Sequence, residues 1–322
     1  MFTLSDRPYT SLPGFKRTYS DGRLTLGLFF PIEAYSGDTP SMLNQVEIAQ
    51  KAEAAGFASL WVRDVPLRDP TFGDVGQIYD PWAFLGYLAG QTRTIALGTA
   101  GIVIPLRHPL HVAKAAASID RLTGGRYLLG VATGDRPVEY SAFNAHIENR
   151  GEIFRENLGV VTQALSTTFR ALHWSRGAMV NADLVPKPLA SQIPLMVTGS
   201  SRQTLEWIAE NAHGWITYPR PLQAQREVIK AWRMALSLVA PGLFKPVSQS
   251  LFIDLDYSPD QQPVPIHQGY RLGRNALVKL LQELEEIGIN HVMIQLKYGC
   301  RPAPEVLEEL IEYVLPHFPT ID

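Results

Sequence analysis

Apolar residues fall along this chain in two alternating rhythms, and the alternation runs almost to the end. Short unbroken apolar runs, rich in β-branched and aromatic residues, predict buried strands. They cover Leu24 to Ile32, Ser59 to Pro66, Ile95 to Pro105, Arg126 to Gly134, Ile193 to Gly199, Gly214 to Pro219, Val247 to Tyr257 and His291 to Tyr298. Segments with helical spacing lie between them. Thr39-Pro40 reads as a cap and first helical residue, followed by Met42, Val46 and Ala49 on one face and a stop at Gly56. Asp80-Pro81 opens a helix to about Gln91, and Pro109 to Leu122 carries Val112, Ala116, Ile119 and Leu122 on one apolar face. Further helices are expected at Asn149 to Ser166, Ser201 to Ala212 (capped by Ser200 or Ser201), Leu222 to Val239, Leu277 to Ile287, and from Pro304 onward.

Eight strand–helix pairs is the number that closes a (β/α)8 TIM barrel. Strands apolar on both faces suit a parallel sheet covered by helices. An open doubly wound sheet shares the alternation and stays as the alternative. The polar, Pro- and Gly-punctuated residues 1–23 read as an arm against the body or a partner subunit, and residues 24–322 as one barrel domain. Leu67 to Tyr79, Thr168 to Pro194 and Tyr257 to Gly273 interrupt the pattern. They are expected as loop insertions at the C-terminal face that select the substrate.

Composition narrows the function classes. A formal net charge of −2, with basic residues scattered, gives no reason to expect a nucleic-acid partner. The single cysteine, Cys300, excludes an intramolecular disulfide and a multi-thiolate zinc site, and it fits a reducing cytoplasm. No apolar stretch has the length of a membrane span, and no leader-like apolar segment opens the chain. A cytoplasmic protein away from membranes is expected.

In a barrel the chemistry collects where the strands end. Those positions hold Glu33 and Tyr35, Arg63 and Asp64, Thr99 with Arg107 and His108, Thr133 with Gly134 and Asp135, then Glu139 and Tyr140. Gly199, Ser200 and Ser201 follow, then Tyr218 and Arg220, Asp254 and Asp256, and Gln295, Lys297 and Tyr298. This polar rim suits a flat aromatic cofactor carrying a phosphate. "VTGSSRQTLE" has the strand–glycine–helix order of a phosphate cradle, though an ordinary serine cap reads the same way. Gly124-Gly125 has the reverse order and reads as a turn at the barrel bottom. Adjacent Arg63 and Asp64 point to opposite faces if the strand holds, or pair at the rim. His108 and His111 stand three apart but lack further ligands, so no metal is expected.

The stretch "GTAGIVIPLRHPLHVAKAAASIDRLTGGRYLLGVATG", followed by Glu139 and Phe143, resembles the bacterial luciferase-like flavin-dependent monooxygenase family. "VTGSSRQTLEWIAENAHGWITYP" and "GYRLGRNALVKLLQELEEIGINHVMIQL" are similar to later parts of the same family. The resemblance implies a TIM barrel, reduced FMN supplied by a separate flavin reductase, dioxygen, a small organic substrate and a homodimer. A branch of the family uses a deazaflavin coenzyme for hydride transfer instead, and a non-catalytic flavin-binding protein is a further alternative. By position, Thr99, Thr133 and Gly134 would line the flavin ring. Glu139, Tyr140 and Arg150 would meet its edge, chain or phosphate. Gly199, Ser200 and Ser201 match the phosphate loop, and Asp64 and Arg107 complete the cofactor-binding set. Arg63 and His108 are the catalytic candidates. Arg63 stands where some members carry a histidine, placed to stabilise negative charge on the cofactor or to bind an anionic substrate. The fourth strand ends "VATGDR" where many members have an asparagine.

Overall fold

Residues 4–72 and 78–320 are described by the computed structural model, so part of the Leu67 to Tyr79 excursion lies outside the described residues. The frame is β1 (Thr25–Phe29), β2 (Ser59–Val62), β3 (Ala96–Thr99), β4 (Tyr127–Ala132), β5 (Leu195–Thr198), β6 (Gly214–Thr217), β7 (Val247–Leu255) and β8 (His291–Gln295). Each strand pairs in parallel with the next. β8 then pairs back onto β1, from Thr25↔His291 to Leu28↔Ile294. The ring is closed, which decides for the barrel over the open sheet.

Around it stand α1 (Gln45–Ala55), α2 (Pro81–Gln91), α3 (Pro109–Leu122), α4 (Arg150–Ser166), α5 (Leu205–Asn211), α6 (Leu222–Val239), α7 (Arg274–Glu286) and α8 (Ala303–Glu309). The pleat divides the core in two. Leu26, Leu28, Leu60, Leu97, Leu129 and Val197 face outward onto the helices. Phe29, Trp61, Ala96, Leu128, Met196, Ile216 and Met293 fill the barrel itself.

The bottom of the barrel is closed by residues from the N-terminal arm. A short helix, Pro13–Thr18, delivers Phe15 and then Tyr19 into the inner cluster. Tyr19 hydroxyl lies 2.9 Å from Ser248 Oγ. Gly14 N–H donates to Gly125 O at 3.1 Å, in the bottom turn where Gly124 and Gly125 both take positive φ. The backbones meet so closely that a Cβ on Gly14 would stand 2.5 Å from Arg126 O. Above this plug, His291 joins β8 to β1 and β2 through Thr25 Oγ1 (2.8 Å) and Ser59 Oγ (2.7 Å). Burial pushes the imidazole down to about 3, which keeps it neutral there.

Three expected elements are corrected. α1 starts at Gln45 rather than after Thr39. Glu33 binds Ser41 hydroxyl and Met42 N–H, and positive φ at Met42 and Asn44 turns the chain first. α5 starts at Leu205, capped by Thr204 through Trp207 N–H at 3.2 Å; neither Ser200 nor Ser201 is its cap. Ser201 and Arg202, both at positive φ, form a turn before it. The third strand breaks at Ala100–Gly101, a cis peptide, and resumes as Ile102–Val103 beside the end of β4.

Candidate functional site

A cavity of about 960 Å³ opens among the strand C-terminal ends. Phe29, Ile216, Ser250 and Met293 contribute to its inner wall. Ala100–Gly101 and Thr133–Gly134 form a ledge on one side, and the Thr198–Arg202 loop lies beside it. Across from them are Arg63, His267, Gln268, Gln295 and Tyr298. Of the long excursions, Thr71 and Phe72 reach the cavity from one, and His267 and Gln268 from another. The 168–194 segment instead lies against α3 and α4, with Arg121 Nε donating to Lys187 O at 2.7 Å and Leu189 N–H to Asp120 at 2.7 Å. Its hairpin, Leu172–Trp174 with Gly177–Met179, is tied there by Ser175 N–H to Glu156 at 2.7 Å.

The expected cofactor residues divide. Thr133, Gly134, Arg150, Gly199, Ser200 and Ser201 line the cavity together. Thr99 does not: its hydroxyl is buried between β3 and β4, donating to Gly130 O at 2.8 Å and accepting from Gly130 N–H at 2.9 Å. Glu139 and Tyr140 stand behind the wall. Tyr140 hydroxyl donates to Thr133 O, and Glu139 accepts from Leu67 N–H at 3.4 Å. Burial pushes Glu139 up to about 7, against the pull of Arg136. Asp64 touches the cavity, but its carboxylate is occupied. Arg107 meets both oxygens, at 2.7 and 2.6 Å, and Val103 N–H donates to one at 2.9 Å. Arg107 also reaches Asp80 at 3.2 Å, and so braces loops rather than lining the site.

Of the catalytic candidates, Arg63 lines the cavity and His108 does not. Arg63 donates to Gln295 Oε1, and its guanidinium stands 4.9 Å from the Phe29 ring centre. His108 is exposed and caps α3, with Nδ1 accepting from Leu110 N–H at 3.3 Å. Among the described residues, no three His, Cys, Asp or Glu side chains gather so as to hold a metal.

Arg136, Arg202, Ser250, His267 and Phe72 line the cavity although strand-end reasoning passes over them. Arg202 follows the "GSS" turn directly, so the positive φ there was the missing signal. His267 and Phe72 arrive on long loops, which strand counting cannot place.

Arg63, Arg136, Arg150 and Arg202 outnumber the lining acids Asp64 and Asp135, and Asp64 is already paired. The loop is also fastened to the start of α4: Gln203 Nε2 donates to Gly151 O at 3.0 Å, and Gln203 Oε1 accepts from Arg155 at 2.7 Å. Gly199 has φ of +61°, and a Cβ there would stand 3.0 Å from Tyr218. Glycine is therefore what this turn requires. A backbone ledge next to a cationic turn fits a planar ring joined by a chain to a phosphate.

A family model for luciferase-like monooxygenases matches residues 22–252. The chain belongs to that family. An uncharacterized protein of Mycobacterium tuberculosis is 30% identical over 204 residues, covering 56% of this chain and 69% of its own. A 4-hydroxyprotoasukamycin monooxygenase from Streptomyces nodosus subsp. asukaensis is 29% identical over 183 residues, covering 55% of this chain and 48% of its own. Among solved structures, a Streptomyces bottropensis monooxygenase superposes with a TM-score of 0.78 at 16% identity, over 91% of this chain and 99% of its own. An F420-dependent secondary alcohol dehydrogenase reaches 0.75 at 17% identity, over 92% and 99%. The oxygenating constituent of a Pseudomonas putida 3,6-diketocamphane monooxygenase, solved with FMN, reaches 0.72 at 15%, over 91% and 98%. These likenesses show the barrel fold of this luciferase-like chain.

Proposed function

We propose that the protein is a flavin-dependent monooxygenase that receives reduced FMN from a separate reductase and uses dioxygen to oxidise a small organic substrate. The supporting observation is the continuity of one cavity, from the Ala100–Gly101 and Thr133–Gly134 ledge to the Gly199–Arg202 turn with Arg150 beside it. Bound reduced flavin would supply the electrons and the point at which dioxygen reacts. The chain's own part is to hold, orient and keep dry. Arg150 and Arg202 offer charge-assisted hydrogen bonds to a phosphate, and the ledge supports a ring. Phe29, Ile216 and Met293 keep water from the inner wall. Arg63, braced by Gln295, presents positive charge where negative charge develops on cofactor or substrate. A homodimer working in the cytoplasm is part of the same reading.

The second reading is a dehydrogenase that transfers hydride to or from a deazaflavin coenzyme. It is favoured by the number of arginines along the cavity, which suits a longer anionic tail. Titration of the purified protein with FMN and with the deazaflavin, followed by fluorescence, separates the two. Oxygen uptake with reduced FMN and a substrate panel then separates an oxygenase from a flavin carrier. Tight deazaflavin binding with no FMN binding would sink the monooxygenase reading.

A further inference from the structure

Thr198 is only 9% exposed, and its Oγ1 is buried without a hydrogen-bond partner among the described residues. Such a hydroxyl lowers stability, because water has been stripped from it and nothing replaces the lost bonds. Its backbone, in contrast, is engaged. β5 pairs Thr198 with Ile216 of β6, and Thr198 O accepts from Ser201 Oγ at 2.8 Å.

Thr198 also lines the cavity, at the junction of its two halves. The next residue is Gly199, the start of the cationic turn. On the other side Oγ1 abuts the ledge: a Cβ built on Gly101 would lie 2.9 Å from it and 2.8 Å from the Val131 carbonyl carbon. A chain that runs from ledge to turn passes Thr198.

We propose that Thr198 Oγ1 is a cofactor-positioning group that hydrogen-bonds the polyol chain joining the flavin ring to its phosphate. The assignment rests on the flavin reading of the cavity. It also explains why a buried orphan hydroxyl is tolerated: the free protein carries its cost, and the cofactor satisfies it on binding. Stability of the free protein and affinity for the cofactor are then in opposition at this one atom.

The test compares the whole chain with Thr198→Val, which keeps the shape and loses the hydroxyl, and with Thr198→Ser, which keeps the hydroxyl. The probes are FMN, the deazaflavin coenzyme, riboflavin, and lumichrome, which has the ring but no polyol. For Thr198→Val, the Kd of whichever of the first three ligands bind should rise about ten-fold, the effect of losing one buried hydrogen bond. Lumichrome affinity should stay unchanged, and the Tm of the free protein should rise by about 2 °C. Thr198→Ser should keep wild-type affinity. Unchanged affinity in the valine variant, lumichrome weakened as much as FMN, or a lower Tm of the free valine variant would each overturn the assignment while leaving the flavin reading intact. A wild-type protein that binds none of the four probes would overturn both.

Discussion

Asp64 carries its charge where water does not reach: its side chain is fully buried, and Arg107 is a quarter exposed. Taking away one partner of such a pair strands the other, at a cost of about 3–5 kcal/mol. Arg107→Ala should therefore lower the urea-unfolding free energy by about 3 kcal/mol. Adding Asp64→Asn to it should recover much of the loss. A single variant as stable as wild type would show that the pair contributes nothing. Glu139 makes a different, pH-dependent prediction. Its folded pKa, about 7, lies above the ordinary 4.5 because burial penalises the carboxylate. The folded state thus binds the proton more tightly than the unfolded chain. The group's contribution is full below the ordinary value and is lost as pH rises through about 7. Glu139→Gln, which cannot ionise, should gain on wild type by on the order of 1–3 kcal/mol between about pH 5 and pH 8. Asp120, pushed to about 6 by burial, leaves part of the slope in both proteins. Parallel stability–pH curves would refute the role given to Glu139.

At the scale of elements, the short N-terminal helix is held by backbone-to-backbone approach. Gly14→Ala would place a methyl 2.5 Å from Arg126 O, with Arg126 Cα and carbonyl carbon also within 2.8 Å. Backbone gives way less easily than a flexible side chain, so the plug must lift. We expect a loss of about 1–3 kcal/mol, together with increased amide exchange around Phe15 and Tyr19. Unchanged exchange in that segment would argue against the plug. The strands were legible in the sequence because fully buried parallel strands leave unbroken apolar runs. Helix starts were less so: Thr39-Pro40 and Ser200-Ser201 look like caps, yet positive φ at Met42, Asn44, Ser201 and Arg202 delays both helices. None of these four is glycine, so nothing in the local letters announces the turn. The site was half legible for a related reason. Gly199 to Ser201 follow a strand directly, whereas the ends of Thr99 and Arg107 depend on partners 31 and 43 residues away.

For the molecule as a whole, charge placement matters more than charge total. Net charge is −2, yet arginines gather along one cavity. A phosphate drawn there by several cations should bind more weakly as salt screens them. Raising ionic strength from about 0.05 to 0.5 M should weaken FMN roughly five-fold or more and leave riboflavin within about two-fold. Equal sensitivity of the two ligands, measured by fluorescence titration, would remove the loop and Arg150 as the phosphate site.

The seam of the barrel has one more consequence. Thr25 meets His291 across 266 positions of chain, and Tyr19 meets Ser248 across 229. On a ribosome, the first strand and the plug are made long before the partners that cover them. Their apolar faces must wait, exposed, through most of synthesis, a demand that favours chaperone shelter for the nascent chain. A circular permutant that joins the old ends and opens the chain between α4 and β5 would bring β8 and β1 out consecutively and move the late-closing seam to the β4–β5 pair, so that β5 becomes the strand that waits.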